Sequence, residues 1–257
     1  MNRIICSLLI TSILASPSAG QMGDATRTST GIVVADRKVT LAAKIVGRIV
    51  DVKVEEGDGV RASEVLIDID DAELRAELAS AQAVLGQEEV NLTHMKKLDD
   101  RYRKLLSQNA TSAEKADEVV FNYGVAKARV QRAQAVVAKV EAMLNETKIR
   151  APFSGVIIDK RAELGQITAA GEPLLVLEDQ STLKFKTSVK EQDLLHIKKG
   201  QKISITIDAL NGLKLTGMIS KIITSGDTST HEFVVEATLP TQDGLYPGMF
   251  GKAEFGR

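Results

Sequence analysis

The 257-residue chain has no tryptophan, one cysteine, five prolines and only 4% aromatic residues. A single core of the size this length allows would normally hold more rings, so the mass must be spread over thin elements or several small cores. The lone cysteine, Cys6, lies in the N-terminal leader described below. Without it the chain has no thiolate nucleophile, no disulfide and no sulfur ligand for a metal. The 33 basic and 34 acidic residues leave a net charge of -1, which offers no electrostatic footprint for nucleic acid. The three histidines, His94, His196 and His231, are too scattered for a zinc site or a nucleophile and base pair. Neither a G-x-G-x-x-G nor a Walker pattern occurs, and acidic pairs such as Glu55-Glu56 and Asp99-Asp100 read as solvated faces. No catalytic, cofactor-binding or metal-ligating residue is therefore expected, and no enzymatic activity.

Apolar runs are short. Arg3, the run from Ile4 to Leu14 and the small residues Ser18-Ala19-Gly20 make residues 1-20 a secretory signal expected to be cleaved, too short for the ~20 residues of a membrane span. Beyond it the chain repeats itself. Gly47 to Asp70 (GRIVDVKVEEGDGVRASEVLIDID) aligns without gaps on Gly155 to Glu178 (GVIIDKRAELGQITAAGEPLLVLE), with Gly47, Ile49, Asp51, Glu55, Gly57, Ala62, Glu64 and Leu66 recurring as Gly155, Ile157, Asp159, Glu163, Gly165, Ala170, Glu172 and Leu174. Each copy has short β-branched runs around a glycine turn, the pattern of small antiparallel strands. Neither is long enough to bury a core alone, so the two are expected to form one β-sandwich together.

Between the copies the period changes. Residues 71-147 contain no proline and only Gly86 and Gly124. Leu74, Leu78, Ala81, Leu85, Glu88, Leu92, Met95, Asp99, Tyr102 and Leu106 alternate steps of four and three, as do Val119, Tyr123, Ala126, Val130, Ala133, Val137, Val140 and Leu144. This is the seam of a coiled coil. The polar stretch Ser107 to Thr111 separates the two arms, with Glu114 at capping-box spacing from Thr111 and a similar start at Asp70 and Glu73. The expectation is an antiparallel helical hairpin with arms of ~35 residues, roughly 50 Å long at 1.5 Å per residue. Glu88 and Asp99 are polar seam positions read as register or solvated features. In this register Arg101 and Leu105 fall off the seam, one turn apart on an outer face.

From Ser181 onward strand patterns return: LKFKTSV, KISITIDA, LKLTGMISKII, FVVEATL and MFGKAEF, with Glu191 to Lys199 expected as a short helix. These suggest a small barrel. The fold class is thus mixed α and β and elongated: a split lipoyl-like β-sandwich (41-70 and 148-179) interrupted by a coiled-coil α-hairpin (71-147), then a β-barrel (180-257), with 21-40 packing a strand on that barrel.

This order of parts resembles the periplasmic adaptor subunits, or membrane fusion proteins of the HlyD-like family, that serve tripartite efflux pumps with resistance-nodulation-division (RND) transporters. The resemblance covers nearly the whole chain after the leader and is carried most specifically by GRIVDVKVEEGDGV, by KIRAPFSGVI from Lys148 to Ile157, and by YPGMF from Tyr246 to Phe250. Such adaptors carry R-x3-L-x6-S at the hairpin tip for docking on TolC-type outer-membrane channels, and Arg101, Leu105 and Ser112 stand at that spacing. The resemblance implies no cofactor and a periplasmic location. It implies three partners: an inner-membrane efflux transporter, a TolC-type channel, and further copies of the chain as a hexamer. The region Thr224 to Glu232 would face the transporter. Many RND adaptors have a further membrane-proximal domain, expected here to be absent or vestigial. Adaptors of ABC or major-facilitator exporters and an exported coiled-coil scaffold are the alternative readings. A lipoyl or biotin carrier is excluded because Asp68-Ile69-Asp70-Asp71 occupies the place of the modified lysine.

Overall fold

The computed structural model of the chain describes residues 27–227 and 232–256. The expected leader and residues 228–231 of the Thr224 to Glu232 region, His231 among them, lie outside them. Fourteen strands and three α-helices make up the described residues. They form a closed six-stranded barrel, two four-stranded sheets packed as a sandwich, and a long helical hairpin, which bears out the mixed fold class.

The sandwich is built from β2 (Lys38–Ala42), β3 (Gly47–Val52), β4 (Gly59–Val60), β5 (Val65–Ile69), β6 (Lys148–Arg150), β7 (Gly155–Lys160), β8 (Ile167–Thr168) and β9 (Pro173–Glu178). One sheet has the order β2-β9-β7-β4 and the other β6-β5-β3-β8. The repeat halves do not simply stack. Each lends its shortest strand to the other's sheet: β4 of the first half pairs with β7 of the second, and β8 of the second with β3 of the first. Their apolar residues interleave into one core in which Ile49, Leu66 and Ile67 from the first half meet Ile157, Leu174 and Leu177 from the second, all fully buried. The repeated glycines mark close approaches. A methyl group on Gly155 would run into the backbone carbonyl of Glu178, and one on Gly47 into the side chain of Ile69.

The hairpin leaves the sandwich after β5 and returns at β6. Helix α1 (Ala72–Ser107) has 36 residues and α2 (Ala113–Asn145) has 33, so α1 is about 54 Å long. The anticipated seam is present. Val119, Ala126, Val130, Ala133, Val137 and Val140 of α2 are buried against the half-buried Leu74, Leu78, Ala81, Leu85, Leu92 and Met95 of α1. At the base, the Asp70 carboxylate accepts from the Ala72 N–H at 3.1 Å, while Asp71 forms an i,i+4 pair with Arg75 at 2.8 Å.

The barrel order is β1 (Arg27–Ala35), β10 (Leu183–Lys190), β13 (Glu232–Thr238), β12 (Leu213–Asp227), β11 (Lys202–Ile207) and β14 (Phe250–Phe255), closing back on β1. Its core centres on Phe185, with Val33, Ile203, Ile205, Ile207 and Val235 around it. The N-terminal segment divides at Arg37 and not at residue 40: β1 is a full barrel strand and β2 already belongs to the sandwich. The helix expected over Glu191 to Lys199 is one turn only, α3 (Glu191–Leu194). Ile197 is drawn into the barrel core, and Gly200 in a left-handed conformation donates its N–H to the Ile219 carbonyl, so the chain turns into β11 and cannot continue as a helix.

The chain crosses between barrel and sandwich twice, and the crossings are tied together. Backbone bonds run from Asp36 N–H to Thr182 and from Asp179 N–H to Arg37. The Arg37 guanidinium donates twice to one oxygen of Asp179, at 3.0 and 2.5 Å, and Ser181 donates to the other through its N–H and hydroxyl at 3.0 and 2.6 Å. Arg37 also lies 4.5 Å over the ring of Phe153, a cation–π contact. Burial works against ionisation of Asp179, but the bonds from Ser181 and Arg37 outweigh it and hold the carboxyl below its usual range.

Because a backbone carbonyl yields less than a side-chain methyl, Gly155→Ala should destabilise the sandwich by about 3 kcal/mol and Gly47→Ala by about 1 kcal/mol, measured by urea unfolding; equal costs would contradict the packing argument. A carboxyl with a folded pKa below its unfolded value of ~3.9 contributes stability that is complete above that pH and is lost as the pH falls through the folded value. The stability gap between wild type and Asp179→Asn should accordingly be constant from pH ~7 to ~5 and shrink below pH ~4.

Candidate docking site at the hairpin tip

The end of α1 is a Schellman turn. Asn109 takes a left-handed conformation at φ 56, the Ala110 N–H reaches the Leu105 carbonyl at 2.9 Å and the Asn109 N–H reaches Leu106 at 3.0 Å, which satisfies carbonyls the helix would leave bare. Ser112 then caps α2, its hydroxyl accepting from the Lys115 backbone N–H at 3.3 Å; separately, the Lys115 ammonium pairs with Glu118 at 2.5 Å. The N-cap is therefore Ser112 and not Thr111, because the extra residue spent in the left-handed turn shifts the helix start by one. Glu114 consequently does not stand at capping-box spacing.

Arg101, Leu105 and Ser112 are all brought to this end of the hairpin, but not onto one face. Arg101 is exposed and has no ion pair among the described residues. Ser112 is exposed with its hydroxyl engaged in the cap. Leu105 is half-buried, whereas Leu106 is 39% exposed, so the last seam position is Leu105, one residue earlier than the heptad count places it. The Schellman bonds to Leu105 and Leu106 fold the chain back over that side of α1. Leu105 thus lies on the half-buried side of α1, and Leu106 is the apolar side chain exposed to solvent.

Two further apolar residues near the tip escaped the sequence reading. Phe121 is 69% and Val120 41% exposed on the outer side of α2. Their signal was available, since both are apolar residues off the seam set by Val119 and Tyr123. Two turns below the end of α1, Asp99 is the one buried residue of that helix. One of its oxygens accepts from Arg103 Nε at 2.8 Å and the other has no partner among the described residues. Glu88, the other polar seam residue, is only half-buried. Among the described residues no group of three or more His, Cys, Asp or Glu side chains could hold a common metal ion, and no helix is long and apolar enough to cross a membrane.

What this architecture resembles can now be stated. The family model for the RND MFP, barrel-sandwich hybrid domain matches residues 37–180, more than half of the chain, and that for the CusB-like, beta-barrel domain matches 185–257. The chain belongs to the RND membrane fusion proteins. Among relatives of this RND membrane fusion protein, the uncharacterized protein YdhJ of Escherichia coli (strain K12) is 31% identical over 72% of this chain and 64% of its own. The multidrug resistance protein MdtA of Shigella boydii is 24% identical over 88% of this chain and 57% of its own. The chain spans somewhat more than half the length of the curated relatives it matches. A solved chimera of MacA carrying the Pseudomonas aeruginosa MexA α-hairpin has the same fold, with a TM-score of 0.70 and 24% identity over 90% of this chain and 80% of its own.

A buried carboxylate with a vacant acceptor is poorly compensated. Asp99→Leu should leave the hairpin as stable as wild type or more stable by about 1 kcal/mol, whereas Arg103→Ala, which strands the carboxylate, should cost about 1 kcal/mol given the exposure of that arginine. Helical ellipticity followed through thermal unfolding checks both signs.

Proposed function

We propose that this membrane fusion protein is a periplasmic adaptor that links an inner-membrane RND-type efflux transporter to a TolC-type outer-membrane channel, so that small molecules leave across the whole cell envelope. The observation that carries the reading is the hairpin itself: a slender two-helix arm, about 54 Å long at 1.5 Å per residue, projects from a sandwich whose other side is tied to a barrel and ends in a capped, solvent-facing tip. A shape of this kind spans a gap. The multidrug resistance protein named among its relatives supports small molecules as the exported class.

In this reading the tip meets the channel. Arg101 supplies the charged contact. Leu105 holds the turn that presents it, and Ser112 fixes the start of α2 beside it. Six copies side by side would make a tube of hairpins above a ring of sandwiches and barrels, with the barrels toward the transporter. The transporter, not this chain, supplies the energy, and the chain has no enzymatic role. Residues 1-20 would direct export and be removed.

Reversal of the exposed charge should separate docking from folding. Arg101→Asp is expected to lower recovery of the outer-membrane channel in co-purification by about tenfold, with the far-UV circular dichroism of the hairpin unchanged. Undiminished recovery would falsify the assignment of the tip.

A further inference from the structure

Strand β1 starts at Arg27 and reaches the sandwich junction at Ala35, so the barrel rim where β1 starts, β10 ends and β11 starts points away from sandwich and hairpin. The segment Lys190 to Lys202 forms the outer edge of that rim. Ile197 is buried and Leu194 packs partly against the barrel core. Leu195 does neither: at 82% exposure it is the most exposed large hydrophobic side chain among the described residues. Met218, opposite Lys202 in the β11–β12 ladder, is 50% exposed.

Cations surround this apolar point. Lys190, Lys198, Lys199 and Lys202 are exposed, and none has an ion pair among the described residues. Of the carboxylates nearby, Asp193 is ion-paired, whereas Glu191 and Glu232 have no ion pair among the described residues. Asp193 is held by Arg27 at 2.9 Å, and Glu232 stands opposite Lys190 in the β10–β13 ladder. Glu191 is left against Lys198, Lys199 and Lys202. A lone protruding leucine among lysines resists explanation as a protein contact, because protein interfaces are depleted of lysine and enriched in aromatic residues. The barrel has such an aromatic pair, Tyr246 and Phe250, at 57% and 68% exposure, but it lies toward the sandwich, where the Gly248 N–H bonds to Val33 and Phe250 pairs with Ile32. The rim around Leu195 has no aromatic residue between Lys190 and Lys202. Compact, strongly hydrated ammonium groups suit a diffuse field of phosphates, and an aliphatic side chain beside them suits the headgroup boundary.

We propose that this rim rests on an anionic phospholipid surface, with Leu195 inserted between headgroups and Lys198, Lys199 and Lys202 against their phosphates. The contact is of modest strength, because one apolar side chain and a few cations do not anchor a protein by themselves. It orients the barrel upright on the membrane and leaves the hairpin directed away from it. The inference adds a lipid contact to the adaptor reading without depending on it, since purified protein and lipid alone can show it.

The test uses the full chain in a Cys6→Ser background with Gln192→Cys carrying an environment-sensitive fluorophore beside Leu195, and a control with the same probe at Ser107→Cys on the hairpin. Vesicles of phosphatidylglycerol and phosphatidylethanolamine should blue-shift the probe at 192 and not the probe at 107, while vesicles of phosphatidylcholine alone should shift neither. Lys198→Glu with Lys199→Glu should weaken the response at least about tenfold, as should high salt, and Leu195→Ser should lower it with the circular dichroism unchanged. A probe at 192 that does not respond to anionic vesicles, or responds equally in the charge-reversed variant, overturns the proposal and points to a protein partner for this rim.

Discussion

Everything outside the barrel depends on one constraint: the two ends of the helical hairpin must return to within a strand spacing of each other. The sandwich has no core until they do. Ile49, Leu66 and Ile67 come from before the hairpin and Ile157, Leu174 and Leu177 from after it, and each half completes its sheet only with the other's shortest strand. The hairpin seam supplies that closure locally, by zipping Val119 to Val140 against the leucines of α1. Antiparallel zipping of the two arms thus places β5 and β6 side by side. A long insertion that would otherwise carry a large loop-closure cost becomes the element that lowers it.

Much of this was legible because it is periodic. The heptads between Leu74 and Leu144 and the shifted repeat with Gly47 and Gly155 are properties of spacing, and spacing survives into three dimensions whenever one face is buried throughout. What escaped is what depends on closure in space. The exchange of β4 and β8 between sheets cannot be read from two-residue strands, whose pairing is decided by their neighbours. The turn at Asn109 uses one residue in a left-handed conformation, which moved the cap to Ser112 and turned Leu105 inward. The passage at Arg37 was hidden because β1 and β2 are both β-branched, and only the clamp on Asp179 separates them.

The candidate site shows the same division. The spacing of Arg101, Leu105 and Ser112 put all three at the tip, while their different exposures arise from the Schellman bonds that no spacing encodes. Phe121 and Val120 were visible as apolar residues off the seam. Leu195 could not be singled out, since Leu194, Leu195 and Ile197 look alike in sequence and only the one-turn length of α3 decides which of them faces outward. The tip and the barrel rim are thus prepared differently: one by a helix-terminating turn, the other by a helix that stops short.

The barrel is completed by a strand that precedes the sandwich, so the chain runs from barrel to sandwich to hairpin and back by the same route. At every level two segments run side by side in opposite directions, and each junction is crossed twice. A pull applied at the tip therefore loads two chain segments in parallel at the Arg37–Asp179 crossing and acts along β1 and β10 in the same direction, so the ladders that bind β1 to β14 and β10 to β13 are sheared as sets and not peeled one bond at a time. In mechanical terms the described residues form a doubled cord, suited to transmitting force along its length.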